Sequence, residues 1–433
     1  MRTLTVRKAN SFCGSARPPS DKSLTHRAFM LAAIADGPCH VYRPLRGEDP
    51  MSTLQCMEML GAVVVWRGAD EVTITPPAAW KQPSDPLDCG NSGTTMRLLA
   101  GLVAGRSLQT TLIGDASLSR RPMGRIAEPL RLMGATIEGE TPPLKIRGSG
   151  DLQAIDYTSP VASGQIKSCV LLAGLTADGI SSVAEPTKSR DHTERMLSAL
   201  GVDIRTASQD DGGYTAWVHP KARVSAFEMT VPGDLSSAAF WMVAAAIVPG
   251  GRIDLANVGL NPTRSGIFDV FDQAGQYYEI VESPAQLNEP TGSVSVFNPR
   301  ESECRPFSIA GPLVPRLLDE IPVLAVLATQ LEGTSTIRDA NELRIKETDR
   351  IVKMAEGLRA MGASIEMLDD GMVISGPVRL KGARIDAGGD HRIGMAFAIA
   401  GLVADGETVI DGAETIGTSF PTFESELRRL SGL

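Results

Sequence analysis

Several features that would name an enzyme outright are missing from this sequence. Its six cysteines, Cys13, Cys39, Cys56, Cys89, Cys169 and Cys304, form no C-x-x-C pair and no Cys/His metal spacing. They read as reduced thiols of a cytoplasmic protein. H-E-x-x-H does not occur, so no zinc is expected. Walker A and G-x-S-x-G motifs are also absent, which argues against a P-loop nucleotidase and a nucleophile-elbow hydrolase. Positive charge is in the minority: 42 Lys and Arg face 51 Asp and Glu, a net charge of −9. That balance disfavours bulk nucleic-acid binding, which needs a basic face. No apolar run reaches the roughly 18–20 residues of a membrane span, and "MRTLTVRKANSF" lacks the apolar core of a signal peptide. An anionic ligand would have to be drawn by local positive charge.

What is present is a repeat. A small-residue apolar helix, a glycine and a β-branched strand recur as "AFMLAAIADGPCHVY", "RLLAGLVAGRSLQTTLI", "CVLLAGLTADGISSVAE", "FWMVAAAIVPGGRIDLANV", "VLAVLATQLEGTSTIRD" and "MAFAIAGLVADGETVIDG". The glycines Gly37, Gly105, Gly179, Gly250, Gly333 and Gly406 fall about 70–80 residues apart, the mark of a structural repeat. Each is read as a left-handed helix cap. A second helix follows in most copies and ends at Gly61, Gly134, Gly201, Gly275 or Gly362 before two strands. Helix crossovers imply parallel strand pairs. The pattern predicts an α/β protein of six βαβαββ units in two domains. The sixth copy lacks its final strands, and the strand "RTLTVRK" is expected to complete it. The chain would then cross between domains within 15–21 and 231–237. One domain spans 18–233; the other joins 1–17 to 234–433. The alternative is six unrelated segments that look alike by chance.

The segments opening the first helix of each copy are polar: "PPSDKSLTHR", "GNSGTTMR", "VASGQIKS", "PGDLSSAA", "GPLVPRLLDE" and "GGDHRIGM". Small residues there leave backbone N–H groups open to an anion. Lys22 and Arg27 sit in the first turns of a helix, where the helix dipole disfavours cations by roughly 0.3–1 kcal/mol each. A bound anion would offset them; a solvated surface cation is the plain alternative. Arginines beside Gly or Pro in "SRRPMGR" (119–125), "SRDHTER" (189–195), "LRIKETDR" (343–350) and "DHR" (390–392) fit phosphate or carboxylate clamps. Asp319 and Glu320 are read as interrupting an apolar helix, "LLDEIPVLAVLA", which favours a role for Asp319. Lys346 and Arg350 are spaced i, i+4, as if on one helix face, with Glu347 between them. A surface ladder of ion pairs would give the same spacing.

Together, "SDKSLTHR", "GNSGTTMR", "RRPMGR", "LRIKETDR" and "GDHR" resemble the signature segments of the 5-enolpyruvylshikimate-3-phosphate synthase (EPSP synthase) family. The likeness runs from about Lys22 to Pro421. It implies an inside-out, barrel-like α/β architecture of six repeated units, with the active site in the cleft between two domains. The implied reaction moves the enolpyruvyl group of phosphoenolpyruvate to the 5-hydroxyl of shikimate 3-phosphate and releases phosphate. This is the 3-phosphoshikimate 1-carboxyvinyltransferase step of chorismate and aromatic amino-acid biosynthesis, and it needs no metal or organic cofactor. By resemblance, Lys22, Ser23, Arg27, Ser163, Gly164, Gln165, Arg190, Asp319 and Lys346 would bind shikimate 3-phosphate. Lys22, Gly93, Arg121, Gln165, Arg350 and Arg392 would bind phosphoenolpyruvate. Asp319 would be the base, Glu347 the proton donor and Lys22 a further catalytic group. The expected partners are these two metabolites only, on a cytoplasmic monomer that binds neither nucleic acid nor membrane.

The chain departs from some family members. Thr418 stands where they carry a lysine that reaches phosphoenolpyruvate, and Leu98 where they carry proline. "SGQIK" (163–167), "RDHTE" (190–194) and "NPTR" (261–264) resemble a subgroup tolerant of glyphosate, although Gly93 is not the alanine found in some strongly tolerant members. The resemblance implies intermediate to high tolerance. Two rivals stand beside this reading. The sister transferase acting on UDP-N-acetylglucosamine usually carries a reactive cysteine in its first half, and here none lies between Cys89 and Cys169. A non-catalytic metabolite binder on the same scaffold would keep the cations but not need Asp319 and Glu347.

Overall fold

The computed structural model describes residues 2–210, 212–298 and 304–433. The chain divides into two compact units. One comprises Met1–Pro19, Gly233–Pro284 and Pro290–Leu433; the other comprises Ser20–Pro232 and Ala285–Glu289.

Each unit is built from one repeated sheet. In the clearest copy, Leu87–Asp88 lies parallel to Gln109–Ile113, which pairs antiparallel with Leu144–Arg147, which pairs antiparallel with Thr136–Glu138. The same order recurs from Asp156–Thr158 to Tyr214–Val218 and from Ser308–Ile309 to Met372–Gly376. A helix crossover joins each parallel pair. Among the described residues there are five such four-stranded sheets and one of three strands.

Two sheets borrow their first strand from far along the chain. Glu228–Thr230 pairs parallel with Cys39–Tyr42, and Cys13–Ala16 pairs parallel with Arg252–Gly259. The three-stranded sheet takes its last strand from the start of the chain, where Thr3–Arg7 pairs antiparallel with Glu407–Asp411.

The first helices of the copies form the core. Leu235–Ile247 is buried from Leu235 to Ala246, and His391–Gly401 is buried throughout. Such helices are apolar all round because no face meets water. The strands show one buried and one exposed face, as in the alternation of Leu144–Arg147. Small residues let the helices approach closely: a Cβ at Gly101 would sit 2.2 Å from the Cys169 carbonyl oxygen of the Gly164–Gly174 helix.

The cap assignments need correction. None of the six first helices ends on a left-handed glycine; they close on Ala33, Gly105 (φ −88°), Leu175, Val248, Thr329 and Leu402. Gly250, Gly333 and Gly406 do have positive φ, but beyond the helix: Gly250 and Gly406 in the turn that follows and Gly333 as the first residue of the next strand. At the second helices the reading holds: Gly61, Gly134, Gly201, Gly275 and Gly362 all have φ between +66° and +106°.

Candidate active site

In the unit Ser20–Pro232, side chains from three helix starts are joined by hydrogen bonds. Asp21 caps the Lys22–Ala32 helix through the Leu24 amide at 2.8 Å. Lys22 pairs with Asp49, and Thr95 Oγ1 donates to the Asp49 carbonyl at 3.4 Å. Arg27 is buried and donates to Thr193 Oγ1 (2.8 Å), Ser168 Oγ (2.9 Å) and the Ser23 carbonyl (3.1 Å). Two protein carboxylates, Asp21 and Asp49, therefore already offset the positive helix end at Lys22, so no bound anion is required to explain that cation; the hydrogen bonds of Arg27 go to neutral groups.

Ser92 caps the Gly93–Ala104 helix at the Thr95 amide, 3.0 Å away. A Cβ on Gly93 would lie 3.0 Å from Arg97 Nη1 and 3.5 Å from Arg121 Nη1, so the backbone at Gly93 is closely flanked by two guanidinium groups. Arg121 donates to Asn91 Oδ1 at 2.8 Å. Arg97 donates to Gln165 Oε1, and Gln165 Nε2 donates to Thr94 Oγ1 at 3.0 Å. Ser163 caps the Gly164–Gly174 helix, and Gly164 packs against Arg190, whose carbonyl oxygen a Cβ there would meet at 3.0 Å. Behind this segment lies a buried ion triad. Lys167 Nζ sits 2.7 Å from Glu185 and 2.9 Å from Glu194, and Glu185 Oε2 accepts from the Ser163 amide at 2.9 Å. Lys22, Ser23, Arg27, Gly93, Arg121, Ser163, Gly164, Gln165 and Arg190 thus all lie in this unit.

The other unit holds Asp319, Lys346, Glu347, Arg350 and Arg392. Arg350 is 2% exposed and is the hub. Its Nη1 is 3.2 Å from Asp319 Oδ1, its Nη2 2.8 Å from Glu347 Oε2 and its Nε 2.8 Å from Asp390 Oδ2. Burial alone would lower the Arg350 guanidinium; Asp390, Glu347 and Asp319 instead hold it charged, well above its ordinary value. Burial pulls the Lys346 ammonium down, against the opposing field of Asp319. Asp390 caps the His391–Gly401 helix at the Arg392 amide, 2.8 Å away. Arg392 is 5% exposed; its Nη2 lies 3.5 Å from Asp234 Oδ2, while its Nε and Nη1 make no hydrogen bond.

Two local expectations fail. Asp319 and Glu320 do not interrupt a helix: the apolar helix is Ile321–Ala328, and Pro322 in its first turn marks the start. Lys346 and Arg350 do not share a helix face. Asn341–Ile345 is a 3-10 turn, Lys346 is extended, Asp349 is the N-cap and Arg350 is the first helical residue. Thr418 donates to the Thr415 carbonyl at 2.8 Å within its own turn. Leu98 is fully buried in the Gly93–Ala104 helix.

Some site side chains escaped the sequence reading. Arg97 lies inside a quoted motif, one helical turn after Gly93, and that spacing was the available signal. Asp234, Arg264 and Asp390 also lie inside quoted segments, but nothing in those segments marks them as partners, because the Asp234–Arg264 and Arg350–Asp390 pairs join residues 30 and 40 positions apart.

The six cysteines are free. Hydrogen bonding to Cys56 and burial push Cys89 up, and burial does the same to Cys169, so neither is poised as a nucleophile. Among the described residues no helix is long and apolar enough to cross a membrane.

The model of the family "EPSP synthase (3-phosphoshikimate 1-carboxyvinyltransferase)" matches residues 6–427. The chain belongs to the EPSP synthase family. It is 45% identical, over all of both chains, to the 3-phosphoshikimate 1-carboxyvinyltransferase of Bacillus thuringiensis subsp. konkukian (strain 97-27). It is 47% identical to that of Synechococcus sp. (strain RCC307), over 99% of each chain. Among solved structures, an EPSP synthase from Acinetobacter baumannii superposes with a TM-score of 0.87 at 40% identity, covering 100% of this chain and 98% of that one. The mixed α/β fold of repeated units is thus the fold of that family.

Proposed function

We infer that this protein transfers the enolpyruvyl group of phosphoenolpyruvate to the 5-hydroxyl of shikimate 3-phosphate. The observation that carries this reading is the Arg350 hub, which holds Asp319 and Glu347 on one buried cation beside Lys346 in a chain of this family. Both substrates are multiply charged anions that repel each other. Clamping them together needs several cations and supplies proximity and charge stabilisation.

In the proposed reaction Lys22, Ser23, Arg27, Ser163, Gly164, Gln165 and Arg190 bind shikimate 3-phosphate, with Asp319 and Lys346 at its 5-hydroxyl. Gly93, Arg121, Gln165, Arg350 and Arg392, with Lys22, bind phosphoenolpyruvate. The cations of the two units act on the same pair of ligands. Asp319 takes the hydroxyl proton while the oxygen attacks C2 of phosphoenolpyruvate, and Glu347 delivers a proton to the methylene carbon. In the elimination from the tetrahedral intermediate both protons are returned: a carboxylate of the Asp319–Glu347 pair takes back a methyl proton, the departing phosphate carries away the proton taken from the hydroxyl, and the enolpyruvyl ether remains. Ligand-driven closure would keep water from the intermediate. The protein acts as a cytoplasmic monomer and needs no cofactor. Glyphosate tolerance is intermediate to high; inhibition well below working phosphoenolpyruvate concentrations would contradict that part alone.

The test is phosphate release from phosphoenolpyruvate with each acceptor in turn. Release that depends on shikimate 3-phosphate, and is abolished in Lys22→Met and Asp319→Ala, supports the reading. Release with UDP-N-acetylglucosamine instead would favour the sister enzyme, and ligand binding without release would favour a binder.

A further inference from the structure

The "NPTR" segment ends in a buried arginine that the proposed reaction does not use. Arg264 is 4% exposed. Its Nη2 donates to Asp234 Oδ1 at 2.7 Å and to Ser236 Oγ, and Ser236 Oγ donates in turn to Glu320 Oε1. Asp234 is the N-cap of the Leu235–Ile247 helix, and its Oδ2 accepts from Ser237 Oγ at 2.9 Å. Arg392 meets this carboxylate only at long range, 3.5 Å from Oδ2. Two nitrogens of the buried Arg392 guanidinium have no acceptor. A buried guanidinium with unused donors is costly unless something else accepts from them. Asp234 is also firmly ionised: burial would raise its carboxyl, but Arg264 and Arg392 hold it down at about 2. The charge on Asp234 is therefore a competitor for Arg392, and Arg264 is the closer cation.

We propose that Arg264 is a positioning residue: by occupying Asp234 it keeps the Arg392 guanidinium available to an anionic substrate group. The proposal rests on the reading that Arg392 meets phosphoenolpyruvate. Without Arg264, Asp234 would have Arg392 as its remaining arginine partner, and the two would close into a tight pair at the substrate's expense.

The test uses the full chain and steady-state kinetics with both substrates. Arg264→Met raises the KM for phosphoenolpyruvate about tenfold or more, with a smaller change in kcat and in shikimate 3-phosphate binding. Adding Asp234→Asn to that variant removes the competing charge and keeps a good helix cap. The double variant recovers to within about threefold of wild type. A merely structural Arg264 predicts instead that stability and kcat fall together, with no selective rise in the KM for phosphoenolpyruvate. If Arg264→Met does not fold, Arg264→Lys carries the test: a several-fold rise in the same KM, again relieved by Asp234→Asn. An unchanged KM, or a double variant no better than the single, overturns the proposal. A wild-type protein that releases no phosphate overturns the functional reading instead, so the two failures are distinguishable.

Discussion

Gly93→Ala separates folding from function at one atom. The added Cβ would lie 3.0 Å from Arg97 Nη1, 3.5 Å from Arg121 Nη1 and 3.7 Å from Arg97 Cζ. These are the far ends of flexible side chains, so they can move by a few tenths of an ångström. Gly93 opens its helix, where alanine has the better propensity by up to about 1 kcal/mol. Stability should therefore change by less than about 1 kcal/mol. The displaced atom matters more. Arg97 Nη1 is the donor that holds Gln165, and a charge-assisted hydrogen bond is worth about 1.5–3 kcal/mol. Losing about half of it, about 0.8–1.5 kcal/mol, corresponds to about a four- to tenfold rise in the KM for phosphoenolpyruvate. No group at the hydroxyl or the methylene carbon is touched, so kcat at saturation should stay within about threefold. The assay is phosphate release over a phosphoenolpyruvate titration, with urea unfolding in parallel. An unchanged KM, or a stability loss above about 2 kcal/mol, would refute the reasoning.

Arg350→Met leaves Asp390 buried without its nearest cation and should destabilise its unit by about 3–5 kcal/mol in urea unfolding. Arg350→Lys keeps the charge but not the three-way fork, so kcat/KM should fall by at least about a hundredfold with a smaller loss of stability. His26 is buried, with Nδ1 2.6 Å from Thr53 Oγ1, and burial pulls its imidazole from 6.5 to about 3. The folded chain resists protonation there while the unfolded chain accepts it. Stability should be full above about pH 6.5 and fall by about 1.4 kcal/mol per unit below it, and His26→Gln should flatten that slope. The Lys346 ammonium is held below 10.5 by burial, and the proposed reaction would use its charged form. Activity should therefore decline as pH rises through that lowered value. An alkaline limb at or above 10.5 would contradict this.

The repeat was legible because a helix buried on all sides must be apolar and small-residue on all sides. "MAFAIAGL" and "FWMVAAAI" have no polar face to confuse the reading. The five glycines before the strands were legible because a positive φ excludes most other residues. Gly37, Gly105 and Gly179 obey no such rule; they sit in turns whose φ any residue can adopt. The strands Cys13–Ala16 and Glu228–Thr230 were not legible. They are short, and their partners lie more than 180 residues away, so pairing rather than propensity makes them strands. Asp319 was placed in a helix although Pro322 already signalled a start at Ile321. The site's cations were visible as motifs, but their carboxylate partners were not. Nothing in "PGDLSSAA" says that Asp234 meets Arg264 and Arg392.

The proposed function requires that cations of both units act on one pair of anionic ligands. A crystal structure with shikimate 3-phosphate and an unreactive phosphoenolpyruvate analogue measures this directly. The account predicts Lys22 and Arg121 together with Arg350 and Arg392 within hydrogen-bond distance of the same two ligands, with Asp319 at the 5-hydroxyl. Ligands held by the cations of one unit, with Arg350 and Arg392 still facing only protein carboxylates, would contradict it.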